Sequence, residues 1–376
     1  MRLLVNCSNI RGGGASQVAL ATFQHLRKYA GNTYCIFLSP DFKGYIDPAS
    51  FPGNFTFHFL PKHIGVPANF LKIRNMLSLL EKNFNPDCSF TLFGPSYWTP
   101  VSPHLMGYAI PHYVYPESPF FKTLSWKETV NLKVKRFLQR YFLRKNAQFY
   151  VAETEDVRKR LSVFLGVPVE RIFMVTAALH PVYSDMTIQR KDLVLQPRTA
   201  GEVRMISISG LGAHKNLLII KRVIPLLREK YNINPRFILT VPDSIYQENF
   251  PTPDEHIINV GPVSIESCPS LYEQSDFVFL PSMLECFSAL YLEGMFLGKP
   301  ILTSDLSFAH AICMDAALYF DPLDPEDIAK KIHTMVTDEK ARNRIIEAGF
   351  RHIHDFPTSE ERTSQYMSII RQIVSD

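Results

Sequence analysis

The sequence predicts an α/β protein made of two tandem halves, each with its own parallel sheet. Three observations predict it. Short apolar runs alternate with stretches of helical period along most of the chain, the pattern of parallel strands joined by crossover helices. The chain has 376 residues, which suits two domains at roughly 100–200 residues each. A polar, irregular stretch from Met186 to Glu202 interrupts the alternation near its middle, and the alternation then restarts.

The first half opens with the apolar run Arg2–Cys7, a strand, and the loop Ser8–Gly14. Ala15–Tyr29 carries Val18, Leu20, Ala21, Phe23 and Leu26 near helical spacing. Thr33–Leu38 and Phe55–Leu60 read as strands, and Phe70–Lys82 as a helix ended by Asn85-Pro86. Cys88–Phe93 and Met106–Ile110 are further strands. Val130–Leu143 is a strong helix with Val130, Val134, Phe137, Leu138 and Tyr141 on one face. Strand Gln148–Ala152, helix Thr154–Leu165 and strand Arg171–Thr176 complete this half.

In the second half, strand Val203–Ser209 leads to helix Asn216–Lys230 and strand Arg236–Val241. Helix Cys268–Gln274, strand Asp276–Leu280, helix Ser288–Leu297, strand Pro300–Thr303 and helix Pro325–Val336 follow. The tail Thr358–Val374 opens with a capping box, Thr358 and Glu361, and carries Tyr366, Ile369, Ile370 and Ile373 on one apolar face.

Composition excludes several classes. Hydrophobic residues make up 46% and charged residues 20%, ordinary for a globular protein and wrong for a disordered, collagen-like or coiled-coil chain. The net charge of +4 is too small to point to a polyanion partner by itself. The six cysteines form no C-x-x-C pair and have no histidine at zinc-finger spacing, so they read as reduced core thiols and no metal site is expected. The N-terminus lacks the apolar core of a signal peptide, and no window of 18 or more apolar residues appears, so a cytoplasmic protein is expected.

The clearest chemical constellation is Glu285 and Glu293, with seven residues between them. If a helix starts near Ser288, Glu293 lies inside it and Glu285 in the loop before it. A loop after a parallel strand, feeding a helix N-terminus, is where open α/β sheets place ligands. Backbone N–H groups of Phe287, Ser288 and Ala289 would face an anion there. The competing structural reading makes Glu285 a capping residue and Glu293 a solvent-facing one. Lys215, between the loop Gly210–His214 and the helix opened by Asn216, suits a diphosphate. Its competing reading is an exposed lysine in a first turn. Gly12-Gly13-Gly14 follows the first strand, but Gln17 stands where a dinucleotide fingerprint has its third glycine. His112 follows a strand in Ala109-Ile-Pro-His-Tyr-Val-Tyr-Pro116, with a hydrogen-bonded turn histidine as the alternative. His63, His104 and His180 read as structural.

The ordered set Pro281-Ser282, Glu285, Phe287, Leu292-Glu293, Gly298-Lys-Pro300 and Ala316-Ala-Leu-Tyr-Phe-Asp-Pro322 resembles the retaining glycosyltransferases of family 4, which have the GT-B fold. Gly261-Pro-Val-Ser and Leu271-Tyr-Glu-Gln-Ser-Asp276 match the run-up, and Gly12–Gly14 with Gln17-Val18-Ala19-Leu20 resembles the N-terminal loop. The likeness spans nearly the whole chain and is strongest over 203–330. It implies two Rossmann-like domains, 1–185 for the acceptor and 200–357 for the nucleotide-sugar, facing across a cleft, with helix 358–376 crossing back to the first. It implies transfer of a sugar from a nucleotide-sugar to a hydroxyl of a glycan or lipid-linked acceptor, with retention and without a metal or other cofactor. Glu293 would bind the ribose hydroxyls, Glu285 the donor sugar and Lys215 the leaving diphosphate. His112 would stand near the reacting sugar. Gly13, Gly14, Val263, Phe287, Ser288 and Ala289 would contact the donor.

The sequence also departs from the family. Ser209, Gly210 and Leu211 occupy the stretch where an arginine is usual, and Ser288 replaces a glycine. Ala177-Ala-Leu-His-Pro181 replaces an Asn-Gly turn, and an acid is replaced around Phe308-Ala-His310. Alternatives are an epimerase, a phosphorylase or a non-catalytic glycan-binding member. Lys122–Lys145 holds eight Lys or Arg and one acid among aromatic residues. This reads as peripheral contact with an anionic membrane at its inner face rather than with nucleic acid, for which no module is present. An ordinary helix with a basic solvated face is the alternative.

Overall fold

A computed structural model of the chain describes residues 1–64 and 66–375. The chain forms two units. Unit 1 comprises Met1–Val114, Ser125–Ala178 and Pro357–Asp376, and unit 2 comprises Tyr115–Leu124 and Leu179–Phe356.

Unit 1 holds strands β1 (Arg2–Cys7), β2 (Thr33–Leu38), β3 (Phe55–Phe59), β4 (Cys88–Thr91), β5 (His104–Gly107), β6 (Phe149–Ala152) and β7 (Ile172–Met174). They form one parallel sheet in the order β3-β2-β1-β4-β5-β6-β7. Its first four helices are α1 (Gly13–Leu26), α2 (Phe70–Phe84), α3 (Trp126–Asn146) and α4 (Glu155–Leu165). Strands buried on both faces need continuous apolar runs, and β1 shows why. Leu3, Val5 and Cys7 point into a core shared with Phe23 of α1. Leu4 points the other way, into a second core with Ile73 and Leu77 of α2.

Local signals fix the helix ends. Asn85 closes α2 in the left-handed region before Pro86, and Gly166 closes α4 the same way. Thr154 caps α4 through its hydroxyl. Sequence periodicity places β5 too late, at 106–110. The strand begins at His104, a polar residue that is fully buried. His104 shares a 2.7 Å hydrogen bond with the Thr91 hydroxyl, and burial pushes its pKa down to about 4.

Unit 2 holds β8 (Glu202–Ser207), β9 (Asn234–Leu239), β10 (Ile257–Asn259), β11 (Phe277–Leu280), β12 (Ile301–Ser304) and β13 (Ala317–Phe320), parallel in the order β10-β9-β8-β11-β12-β13. Its helices are α5 (Pro181–Ser184), α6 (Ile220–Glu229), α7 (Asp243–Asn249), α8 (Cys268–Glu273), α9 (Ala289–Phe296), α10 (Ser307–Cys313), α11 (Pro325–Thr337) and α12 (Glu339–His352). The elements β10, β13, α5, α7, α10 and α12 are absent from the sequence reading. The two strands are only three and four residues long, and α12 buries only Ile345, Ala348 and Gly349. Such segments carry too few apolar positions for a period to show.

The tail helix α13 (Ser359–Ser375) belongs to unit 1. Tyr366, Met367, Ile370 and Ile373 enter the core beneath β1 and α1. Arg362, fully buried, donates at 2.8 Å to Glu153 at the end of β6 and through Nε at 2.9 Å to the Tyr366 hydroxyl.

Unit 1 gives way to unit 2 at 178/179, and the irregular segment 186–202 is not free. Leu193 and Leu195 N–H groups donate to Ser270 Oγ and Gln274 Oε1 beside α8, and Lys191 N–H donates to the Glu266 carbonyl. Side chains and a carbonyl in and around α8 thus satisfy three of its backbone N–H groups, which composition cannot reveal. Tyr115–Leu124 is also held in unit 2, where Ser118 Oγ donates to the Met283 carbonyl at 2.7 Å. All six cysteines are buried thiols.

Candidate functional site

The strand order of unit 2 reverses between β8 and β11. At such a switch point the loops leaving the two strands part and open a crevice at their carboxyl ends. Lys215 lies on the loop that follows β8, and Glu285 on the loop that follows β11. A short helical turn, Ala213–Lys215, ends at Asn216 in the left-handed region (φ 54°), and Asn216 Nδ2 donates to the Pro322 carbonyl. The Met283 N–H donates at 2.7 Å to the His214 carbonyl, tying the two loops together. Lys215 Nζ then donates directly to Glu285 Oε1. The Glu285 side chain is 9% exposed and the Lys215 side chain 22%. The exposed-lysine reading of Lys215 and the capping reading of Glu285 therefore fail.

Helix α9 starts at Ala289, one residue after the expected Ser288, which is its N-cap. The Ser288 side chain makes no cap hydrogen bond, whereas Asp324 and Asp338 cap α11 and α12. The first-turn N–H groups of α9 thus lack the side-chain oxygen that usually fills them, which suits an anion. Serine in place of glycine causes no strain, because its φ is −120°.

Gly294 sets the depth of α9. A Cβ there would meet Val278 Cγ2 of β11 at 3.0 Å and Ile301 Cγ1 of β12 at 3.1 Å, so glycine lets the helix lie close on the sheet. Its neighbour Glu293 is consequently buried, and its solvent-facing reading fails. Glu293 Oε2 accepts from the Tyr272 hydroxyl of α8 at 2.5 Å. Burial, only partly offset by hydrogen bonding to neutral tyrosine hydroxyls, pushes its pKa up to about 7. Burial and then the Glu293 charge push the Tyr272 and Tyr183 hydroxyls up as well. The Tyr183 ring stands edge-on to Tyr272 at 6.1 Å.

Of the other expected donor residues of unit 2, Phe287 and Ala289 lie on the β11 loop and α9, and Val263 on the loop after β10. Phe287 is half-buried and edge-on to Phe356 at 6.1 Å, Ala289 is exposed, and Val263 is half-buried two residues after Gly261 (φ 72°). Near the departure at 308–310, His310 hydrogen-bonds Asp305 at 2.6 Å and stacks on Tyr319. Tyr272 and Tyr183 are the residues the sequence reading misses. Tyr272 lies within the quoted run Leu271–Asp276, but nothing in that run says which helix face meets Glu293.

Gly13, Gly14 and His112 belong to unit 1. Gly12 and Gly13 both have φ of 66°, where other residues are strained, and a Cβ at either would meet nothing within 4 Å. Conformation, not crowding, calls for glycine there. Gly14 has neither constraint. Asn9 and Arg11 on the same loop line a cavity of about 320 Å³ with His63 and Tyr97. His112 sits in the turn Pro111–Tyr113 after β5, half-buried, and burial lowers its pKa. Among the described residues no cluster of three or more His, Cys, Asp or Glu is placed to hold a metal ion.

Residues 195–352 match the family model described as Glycosyl transferases group 1. The uncharacterized glycosyltransferase MJ1607 of Methanocaldococcus jannaschii is 18% identical over 219 residues, 54% of this chain and 55% of that protein, so the chain matches only about half the length of this relative. Among solved structures, sucrose-phosphate synthase from Thermosynechococcus elongatus superposes with a TM-score of 0.72 at 12% identity, covering 100% of this chain and 99% of that one. HepE of Anabaena, solved with UDP and glucose, gives 0.69 at 13% identity, covering 99% and 100%. At such identities these likenesses speak for the fold alone. Both units are parallel-sheet α/β structures matching GT-B neighbours in fold, and residues 195–352 resemble a glycosyl transferases group 1 domain.

Proposed function

We propose that this chain transfers a sugar from a nucleotide-sugar donor to a hydroxyl of a glycan or lipid-linked acceptor, with retention at the anomeric carbon, as in polysaccharide assembly. The observation that carries the reading is the Lys215–Glu285 pair at the β8/β11 switch point, beside the α9 N-terminus and with Glu293 on the same helix. The donor diphosphate would lie on the N–H groups of Ser288 and Ala289, with Lys215 turning from Glu285 to the phosphates. Glu285 would then accept from hydroxyls of the donor sugar. Glu293 would accept from the two ribose hydroxyls, a task suited to a carboxylate. Phe287 and Val263 would flank the nucleotide.

The bond between the anomeric carbon and the diphosphate oxygen breaks, and its electron pair stays on the diphosphate. The acceptor oxygen attacks from the same face, and its proton passes to the departing phosphate oxygen. Lys215 and the N–H groups stabilise the charge that develops. No carboxylate nucleophile and no metal enters this scheme. We assign the acceptor to unit 1, with the Gly13–Gly14 loop, the cavity beside Asn9 and Arg11, and His112 serving that side of the reaction. Because HepE was solved with UDP and with UDP-glucose, a uridine nucleotide is the first donor to test.

Thermal shift with uridine, guanosine and adenosine diphosphates identifies the base, since a ligand at 100 times its Kd adds about 2.7 kcal/mol. Glu293→Ala is expected to weaken nucleotide binding, and Lys215→Ala to lower turnover by about a hundredfold or more, as for loss of one transition-state donor. Full transfer activity in both variants would remove the site assignment. Nucleotide binding without any donor hydrolysis or transfer would favour a binding protein.

A further inference from the structure

The face of α3 that sequence periodicity marks as apolar is turned to solvent. Trp126 and Phe137 are each 73% exposed, and Val130, Val134, Leu138 and Tyr141 are exposed as well. At about 3.6 residues per turn these six positions fall within roughly a third of the helix circumference. The opposite side holds α3 in unit 1. Leu143 and Asn146 are buried there. Phe142 meets Phe70 and Tyr97 edge-on at 6.1 and 5.8 Å, and Gln139 donates to the Tyr97 hydroxyl at 2.8 Å. Arg136 covers the Phe164 ring of α4 at 5.3 Å. The helix is therefore fixed without its apolar stripe, and the stripe is surplus to the fold.

Charge decides what the stripe fits. The helix carries seven Lys or Arg against one acid, Glu128, and Glu128 is engaged in its own capping box with Ser125. At helical spacing Lys127 and Lys145 border one edge of the stripe, and Lys133, Arg140 and Arg144 the other. Lys127 lies over the Trp126 ring and Lys145 over the Tyr141 ring, so cations and aromatic rings form one surface. Among the described residues no helix is long and apolar enough to cross a membrane. A convex helix with an aromatic stripe between rows of cations matches the headgroup region of an anionic bilayer, where rings sit at the acyl boundary and cations meet phosphates. We propose that α3 docks this chain flat on an anionic phospholipid surface. Docking would bring the chain to lipid-borne acceptors, but the inference does not depend on the transferase reading.

The test is co-sedimentation of the full chain with vesicles of phosphatidylcholine alone or of phosphatidylcholine mixed with phosphatidylglycerol, with no donor and no catalysis involved. Binding to the anionic vesicles is expected to be at least about tenfold stronger and to weaken with salt. Lys133→Ala with Arg144→Ala should weaken it by about fivefold for each charge removed. Trp126→Ser with Phe137→Ser should abolish binding to anionic vesicles, with unfolding temperatures of both variants within a few degrees of wild type because neither site is packed. Equal pelleting with both vesicles, or pelleting unchanged in both variants, overturns the proposal. So does absence of vesicle binding together with stripe-dependent dimerisation in sedimentation velocity, which would assign the face to a second copy.

Discussion

Glu293 offers a test of the site that needs no substrate. Its carboxyl is buried and accepts from the neutral Tyr272 hydroxyl, so the fold favours the protonated form and raises the pKa from 4.5 to about 7. A raised carboxyl pKa stabilises the fold fully below the unfolded value, near 4.5, and the stabilisation is lost as pH climbs through about 7. The rise from 4.5 to about 7 corresponds to about 3 kcal/mol. Glu293→Gln keeps the size and can still accept from Tyr272, but cannot ionise. Denaturant unfolding of both proteins at pH 5 and pH 8 reads the difference, and subtracting them cancels the other titrating groups. Near pH 5 the two should lie within about 1 kcal/mol, and by pH 8 the glutamine variant should be the more stable by about 3 kcal/mol. Ribose hydroxyls donating to the ionised carboxylate would oppose the shift, so nucleotide affinity of the wild type should rise with pH while that of the variant stays flat. A stability gap equal at both pH values would refute the burial argument.

Two further outcomes follow from the same structure. Arg362→Met removes the cation from buried Glu153, which burial already pushes upward in pKa. It should cost about 3 kcal/mol in denaturant unfolding at pH 7 and less at pH 4, and adding Glu153→Met should recover most of the loss. In the proposed scheme Lys215 and backbone N–H groups neutralise the leaving diphosphate, so turnover measured with and without a chelator should be the same. A turnover lost to chelation and restored by a divalent cation would require a different account of the leaving group.

The parts of the fold written plainly in the sequence are those whose segments are long and apolar on a regular period. The strands β1, β2 and β11 and the helices α1, α6 and α11 are of this kind, because a strand covered on both faces admits few polar residues. What stayed hidden depends on contacts between distant segments. His104 reads as a polar interruption until Thr91 supplies its partner. Segment 186–202 reads as a linker until Ser270 and Gln274 accept from its backbone N–H groups. In the site, Glu285, Glu293 and Lys215 were legible because two loops and a helix start have local signatures. Their mutual relation was not, since 70 residues separate Lys215 from Glu285 and no periodicity links them. The stripe on α3 shows the opposite limit. Period alone identifies an apolar face but not whether protein or solvent lies against it.

The two glutamates share one loop and helix yet receive opposite electrostatic treatment, and the difference suits two separate tasks. Glu285 faces a cation. Breaking that pair inside a partly buried site without replacement leaves a charge uncompensated, so Lys215 can turn away only when something else satisfies Glu285. Donor sugar hydroxyls can do so while the diphosphate receives the lysine. In the proposed scheme the exchange would make the pair a latch, because neither member would be released unless both halves of the donor were present. Free nucleoside diphosphate would supply the anion but not the hydroxyls, and free sugar the reverse. Among the described residues no cation pairs with Glu293, which a neutral phenol holds, so in the proposed scheme it would accept ribose hydroxyls independently of the latch. The nucleoside half is therefore expected to bind by itself, whereas Glu285→Gln, which loosens Lys215, should tighten the free diphosphate and weaken discrimination in favour of the intact donor. Titration calorimetry with uridine diphosphate and uridine diphosphate-glucose on both proteins measures that ratio. A ratio unchanged by the substitution would mean that the Lys215–Glu285 pair plays no part in sensing the sugar.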